Sequence, residues 1–155
     1  MSATLRKNMS SLATNRRARF DYDILETFEA GLVLSGQETK SVKAGHVSLA
    51  GAFITFHGNN ALLTNAHITP FPQAGPLPNY DPTQSRRVLL HKKEISYLRA
   101  KSHEEGLTVV PLSVYTKHRL IKVEIALAKG RKTYDKREAI KKREVTREFA
   151  RIRKT

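Results

Sequence analysis

The sequence predicts a mainly β domain, a small closed β-barrel carrying one or two helices and followed by a basic tail. Three observations carry this prediction. Strand-like runs come in hairpin-spaced pairs, AFITFH with ALLTNAHI and LTVVPLSVYT with RLIKVEIALA. No strand–helix alternation recurs of the kind that builds a parallel sheet, and there are no internal repeats. The net charge of +14 is also concentrated at the ends: residues 1–19 carry +5, residues 129–155 carry +8 and the 109 residues between them only +1. Local hairpins around a nearly neutral middle suit a small barrel.

In chain order, residues 30–34 form an apolar run that stops at Gly36 and reads as a strand. Residues 37–44 (QETKSVKA) read as a short helix, with Gly45 placed to cap its C-terminus. Residues 52–57 form a strand that turns at Gly58-Asn59-Asn60 into its partner. Residues 70–82 hold five of the six prolines and read as a loop. Beyond Asp81-Pro82, the i+4 spacing of Leu90, Glu94 and Leu98 predicts a helix over 83–102. The second hairpin turns at Lys117-His118, and Pro111 marks an edge or a bulge in its first strand. After Gly130 the apolar residues Ile140, Val145, Phe149 and Ile152 make only a thin stripe. Arg143, Arg147 and Arg151 repel along one face, so this segment orders only against an anion. The divisions are a flexible arm over 1–14, a core over 15–129 and a tail over 130–155.

The 155 residues make one domain, large enough for packing alone to hold it. The absence of cysteine excludes disulfides, thiolate zinc sites and cysteine nucleophiles, and fits a reducing cytosol. No apolar run approaches a membrane span and the first residues lack a secretory signal, so the expected location is cytoplasmic, with no membrane partner. Asp21, Asp23, Glu26 and Glu29 match no metal loop and read as a solvated strand edge facing basic neighbours. The six histidines are scattered and the glycines form no phosphate loop. No catalytic residue, metal or cofactor is expected.

The basic clusters point to a polyanion. Asn15, Arg16, Arg17 and Arg19 stand beside the aromatics Phe20 and Tyr22, a pairing of phosphate-seeking cations with stacking rings that suits RNA; the alternative is a solubilising arm. Lys129, Arg131 and Lys132 follow the last strand and project from a barrel rim or belong to a charged linker. The tail lacks the broad apolar face of an interfacial helix, which favours nucleic acid over lipid.

Several strings together resemble one family: Asn15-Arg16-Arg17-Ala18-Arg19 with Tyr22, Phe28-Glu29-Ala30-Gly31-Leu32, Gly36-Gln37-Glu38-Thr39-Lys40-Ser41, Asn65-Ala66-His67-Ile68, Asp81-Pro82-Thr83, Gly106-Leu107-Thr108-Val109-Val110-Pro111-Leu112, Ala128-Lys129-Gly130 and Asp135-Lys136-Arg137. In order and spacing they resemble the SsrA-binding protein family, small protein B of bacteria, from about Asn15 to the C-terminus. The resemblance implies an oligonucleotide-binding (OB-type) closed barrel and a monomer whose tail is disordered when free and helical on the ribosome. It implies binding of transfer-messenger RNA and its delivery to stalled ribosomes for trans-translation, with no chemical step. The partners implied are that RNA, the small-subunit decoding centre and messenger channel of the ribosome, and elongation factor Tu indirectly through the charged RNA.

On this resemblance the RNA contacts fall on Asn15, Arg16, Arg17, Arg19, Tyr22 and Glu29, with Lys129, Arg131 and Lys132. Glu29 either accepts hydrogen bonds from a base edge or 2′-hydroxyl, orients an arginine, or forms a structural salt bridge. Asp135, Lys136, Arg137, Ile140, Lys141 and Arg143 match the ribosome-binding part of the tail. Gln84 stands where the family leads one to expect a basic residue, and Phe20 where a histidine is common. The rival readings are a constitutive ribosomal RNA-binding protein and an RNA-processing enzyme.

Overall fold

The computed structural model describes residues 10–131, 137, 140, 141, 143–148 and 150. The elements are β1 (Ser10–Thr14), α1 (Arg16–Asp21), β2 (Tyr22–Leu32), α2 (Gly36–Lys43), β3 (Val47–Ser48), β4 (Phe53–His57), β5 (Asn60–Thr64), β6 (His67–Ile68), a 3-10 turn (Pro72–Ala74), β7 (Arg86–Leu89), α3 (Lys92–Ser102), β8 (Leu107–Lys117) and β9 (Leu120–Gly130). The fold is mainly β with few helices. Seven strands form one sheet in the order β1-β8-β9-β2-β7-β5-β4, every pair antiparallel, and β3 with β6 forms a separate ribbon.

The expected closed barrel is not what the ladder shows. Among the described residues β1 and β4 end the sheet and share no hydrogen-bonded register. The sheet curls until β4 packs against β8, but β1 already pairs with Ser113–Thr116 of β8, so closure there is by side chains rather than by a continuous ladder. Ser10–Thr14, assigned to the arm by the sequence, is therefore a paired strand.

Two segments differ from the sequence-based expectation for identifiable reasons. The helix expected over 83–102 begins only at Lys92, where Glu94 Oε1 accepts the His91 backbone N–H at 3.1 Å. Residues 86–89 are instead β7, taken up between β5 and β2, with Arg86 and Val88 turned inward. A charged residue at an inward position hides the alternation of a strand; here Glu38 neutralises it. Likewise β2 begins at Tyr22, well before the apolar run that signals it, because a bulge between Ile24 and Glu26 breaks the period of two. Among the described residues its acidic residues Asp23, Glu26 and Glu29 are paired on the β9 side only, because β7 meets β2 just at Gly31 and Leu32, so they do line an open strand edge.

Elsewhere the local signals hold. The Ser35 hydroxyl accepts from the Glu38 N–H at 3.3 Å and Glu38 Oε1 from the Ser35 N–H at 3.2 Å, a reciprocal cap that starts α2. Gly45, at φ +85°, follows its end. The second hairpin turns one residue later than expected, at His118 and Arg119, both with left-handed φ (51° and 66°) as a two-residue turn requires. Pro111 stands beside a bulge between Pro111 and Ser113, and the β1 ladder reaches β8 only from Ser113 onward, so bulge and unpaired edge coincide at this proline.

The main core holds Leu63, Ile68, Leu98, Val109, Val123 and Ile125 out of water. A smaller cluster of Ala18, Val110, Leu112, Ala126 and Ala128, flanked by Tyr22 and Ile24, seats α1 on β8 and β9. Full burial of Val110 or Leu112 contributes about 1.5–3 kcal/mol each. That small cluster positions the candidate site.

Candidate nucleic-acid interface

Helix α1 is six residues long and cannot stand alone. Asn15 holds it. The Asn15 Oδ1 accepts the Ala18 N–H at 3.2 Å, its Nδ2 donates to the Pro111 carbonyl at 2.9 Å, and its backbone N–H donates to Leu112 O at 2.7 Å. Asn15 is thus buried and tied to the fold rather than presented to solvent. Ala18 is the face of α1 that meets the sheet, so Arg16, Arg17 and Arg19 are turned outward and exposed. Arg17 Nε lies 3.7 Å from Asp21 Oδ2 with 83% of its side chain exposed, a pair of little energetic weight. Tyr22 closes α1 and leans half-buried on the small cluster.

The register between β2 and β9 brings the second set of cations to the same end of the sheet. Lys129 lies opposite Asp23 and Gly130 opposite Tyr22. The Arg131 N–H donates to Asp21 O at 2.9 Å and its Nε to Asp23 Oδ1 at 2.9 Å, across 108 residues of sequence. Arg16, Arg17, Arg19, Lys129 and Arg131 therefore meet where α1 joins β2. Of the tail residues, Lys132, Asp135 and Lys136 lie outside the described residues. Arg137, Ile140, Lys141 and Arg143 are helical and exposed. The Arg143 guanidinium stands 5.8 Å over the centre of the Phe20 ring, so the tail touches the residue just past Arg19.

Glu29 is elsewhere. It lies seven residues along β2 from Tyr22, on the outer face of the sheet. The Tyr115 hydroxyl donates to its Oε2, and Lys117 Nζ donates to its Oε1 at 3.1 Å. Partial burial alone would raise the Glu29 pKa, but these two donors, with Lys122 nearby, hold it below the ordinary value. Burial and the facing carboxylate push the Tyr115 phenol well above its ordinary value. Of the three roles open for Glu29 in the sequence, the geometry matches the salt bridge. The same face carries two residues that sequence reasoning missed, Leu89 opposite Gly31 on one side and Lys122 opposite it on the other. Leu89 is 51% exposed, and no local pattern distinguishes it from a core leucine.

Among the described residues no group of three or more His, Asp or Glu is placed to hold a metal ion, and no helix is long and apolar enough to cross a membrane. Gln84, at the position where a cation was expected, turns its amide inward to Glu38 Oε2 at 3.4 Å.

The family model described as SmpB protein matches residues 12–155. The chain belongs to the SmpB family. Among SmpB relatives, an SsrA-binding protein of Leuconostoc mesenteroides subsp. mesenteroides is 51% identical over 140 residues, covering 90% of each chain. An SsrA-binding protein of Chloroflexus aurantiacus is 48% identical over 154 residues, 99% of this chain and 96% of the relative. A solved structure described as "tmRNA-SmpB: a journey to the center of the bacterial ribosome" superposes with a TM-score of 0.66 at 44% identity, over 82% of this chain and 92% of that one.

Proposed function

We propose that this chain binds transfer-messenger RNA and delivers it to stalled ribosomes for trans-translation. The observation that carries the reading is the convergence of Arg16, Arg17, Arg19, Lys129 and Arg131 at one end of the sheet, held there by Asn15, Ala18 and the Arg131–Asp23 pair. Arg16, Arg17, Arg19 and Lys129 are exposed and Arg131 is fixed by Asp23, and cations on such a rigid seat neutralise phosphates at defined positions, which distinguishes a folded RNA from an arbitrary polyanion. Likeness over nearly the whole chain to SsrA-binding proteins supports the choice of RNA.

In this reading Asn15 acts by positioning α1, Tyr22 offers a ring beside the cations, and Lys132 adds a further positive charge for the RNA. The outer face around Glu29, with Lys122 and Leu89, makes a second contact surface in which Glu29 orients Lys117. The tail, through Asp135, Lys136, Arg137, Ile140, Lys141 and Arg143, engages the small-subunit decoding centre and messenger channel. Elongation factor Tu is met only through the charged RNA. The protein works as a cytoplasmic monomer and performs no chemical step, and its curled sheet acts as an OB-type barrel, with β4 against β8 in place of a closing ladder.

Recovery of the protein from cells and sequencing of the RNA bound to it tests this reading. Enrichment of transfer-messenger RNA over ribosomal RNA, with the protein substoichiometric to ribosomes, is expected. Cofractionation with every ribosome at high stoichiometry would instead identify a constitutive ribosomal protein, and cleavage of the bound RNA would identify an enzyme.

A further inference from the structure

A groove runs between α1 and the segment that leads into β4. Val110 of β8 lies at its floor, Arg17, Asp21 and Tyr22 on one wall, and Gly51 and Phe53 on the other. Phe53 is out of place as a packing residue. It opens β4 with 39% of its surface exposed, while Ile54 beside it is buried. Gly51, at φ +75°, lets the chain turn, and the flanking residues Ala50 and Ala52 bring only methyl groups to the groove. A flat ring thus faces α1 across open space rather than across a packed side chain.

Both the size and the charge of this space suit one nucleotide. An aromatic face stacks on any base, and stacking of an unpaired base on protein rings is a general means of holding RNA. Arg17, with its 83% exposed side chain, can reach a phosphate at the mouth. The Asp21 carboxylate, 29% exposed, disfavours a second phosphate and can accept from a base amino group or a 2′-hydroxyl. The surrounding cations Arg16, Arg19 and Lys129 favour a polyanion over an apolar peptide as the source of the ring that enters. We propose that this groove takes a single unpaired nucleotide of the bound RNA, its base stacked on Phe53 and its phosphate on Arg17. The inference rests on the RNA-binding reading above and adds to it a pocket for one extruded base.

The chain contains no tryptophan, so Phe53→Trp places one indole in the groove. This variant is titrated with a transcript of the tRNA-like part of transfer-messenger RNA, while retention of labelled RNA on a filter reports binding independently. Quenching of the indole emission at saturation is expected. Phe53→Leu, which keeps the apolar bulk but cannot stack, should weaken binding about fivefold or more with an unchanged salt slope, and Phe53→Tyr should restore it. Unquenched emission with the RNA retained, or wild-type affinity in Phe53→Leu, overturns the pocket and leaves the RNA-binding reading standing. Failure of the wild-type protein to retain the RNA overturns both.

Discussion

Arg86 Nη2 and Glu38 Oε2 stand 2.7 Å apart with only 2% and 3% of their side chains exposed, a full ion pair enclosed between β7 and α2. Further bonds complete it. Arg86 Nε donates to Glu38 Oε2 at 2.9 Å, Nη1 to Ala66 O at 2.7 Å, and Nη2 to Pro82 O at 2.9 Å and the Tyr80 hydroxyl at 3.1 Å. The pair thereby ties the Pro-rich loop to both elements, and among the described residues no buried side-chain polar atom is left without a partner.

Removing one member of this pair strands a charge in the interior, which costs about 3–5 kcal/mol. Arg86→Met and Glu38→Leu should each lower the unfolding free energy measured in urea by that amount, whereas the double variant should recover much of it because the desolvation of both charges disappears. Additive losses in the double variant would contradict this account.

The pH dependence follows from the same groups. Burial opposes ionisation of Glu38, yet Arg86, the Ser35 N–H and Tyr80 hold its pKa below the ordinary 4.5, and Glu29 is held low by Tyr115 and Lys117. A carboxyl with a depressed folded pKa contributes stability that is present above its unfolded value and lost as the pH falls through the folded one, because the unfolded chain binds more protons there. Stability should decline below about pH 4.5, and more gently in Glu38→Gln. Tyr80 and Tyr115 are raised above the ordinary 10, so their contribution is present below pH 10 and lost above it. Thermal melts across pH check both limbs.

Asn15→Ala should cost about 0.5–2 kcal/mol for the lost cap. It should also weaken RNA binding without altering the salt slope, because it frees α1 but removes no charge. Asn15→Asp keeps the capping oxygen but sets a carboxylate oxygen against the buried Pro111 carbonyl in place of the Nδ2 donor, so it should not restore the thermal stability.

Each phosphate neutralised adds roughly 0.7–0.9 to the slope of log affinity against log salt. Arg19→Ala should lower the slope by about that amount, as should Lys129→Ala. Glu29→Ala should weaken binding with little change of slope, since its carboxylate meets Lys117 and Tyr115 rather than a phosphate. Filter binding across a salt series measures all three.

Truncation separates the tail from the body, and the structure sets where to cut. Arg131 belongs to the body through Asp21 O and Asp23, so a chain ending at Lys132 should keep RNA affinity near that of the full protein while losing peptide tagging on stalled ribosomes. A chain ending at Lys129 should lose affinity as well. Equal affinity in the two truncations would remove Arg131 from the site.

Much of the body was legible because its signals are local. A serine three residues before a glutamate starts α2, a glycine ends it, and alternating β-branched runs make β8 and β9. Strand β7 was not legible, since RRVL lies on the same apolar period as α3 and only pairing with β2 and β5 decides its state. Strand β1 likewise is decided only by its pairing with β8, and the early part of β2 was hidden by the bulge between Ile24 and Glu26.

From sequence alone came the mainly β class, the concentration of charge at both ends, the cations beside Phe20 and Tyr22, and the family resemblance, all carried by composition or by residues close in the chain. Tertiary structure decided that Arg131 reaches Asp23, that Glu29 is paired farther along the face on which α1 sits, that Asn15 is a buried rivet, and that Phe53 lines the groove beside α1. Those relationships depend on strand register and on which charge meets which across the sheet, and contacts between distant residues leave no periodic trace in the chain.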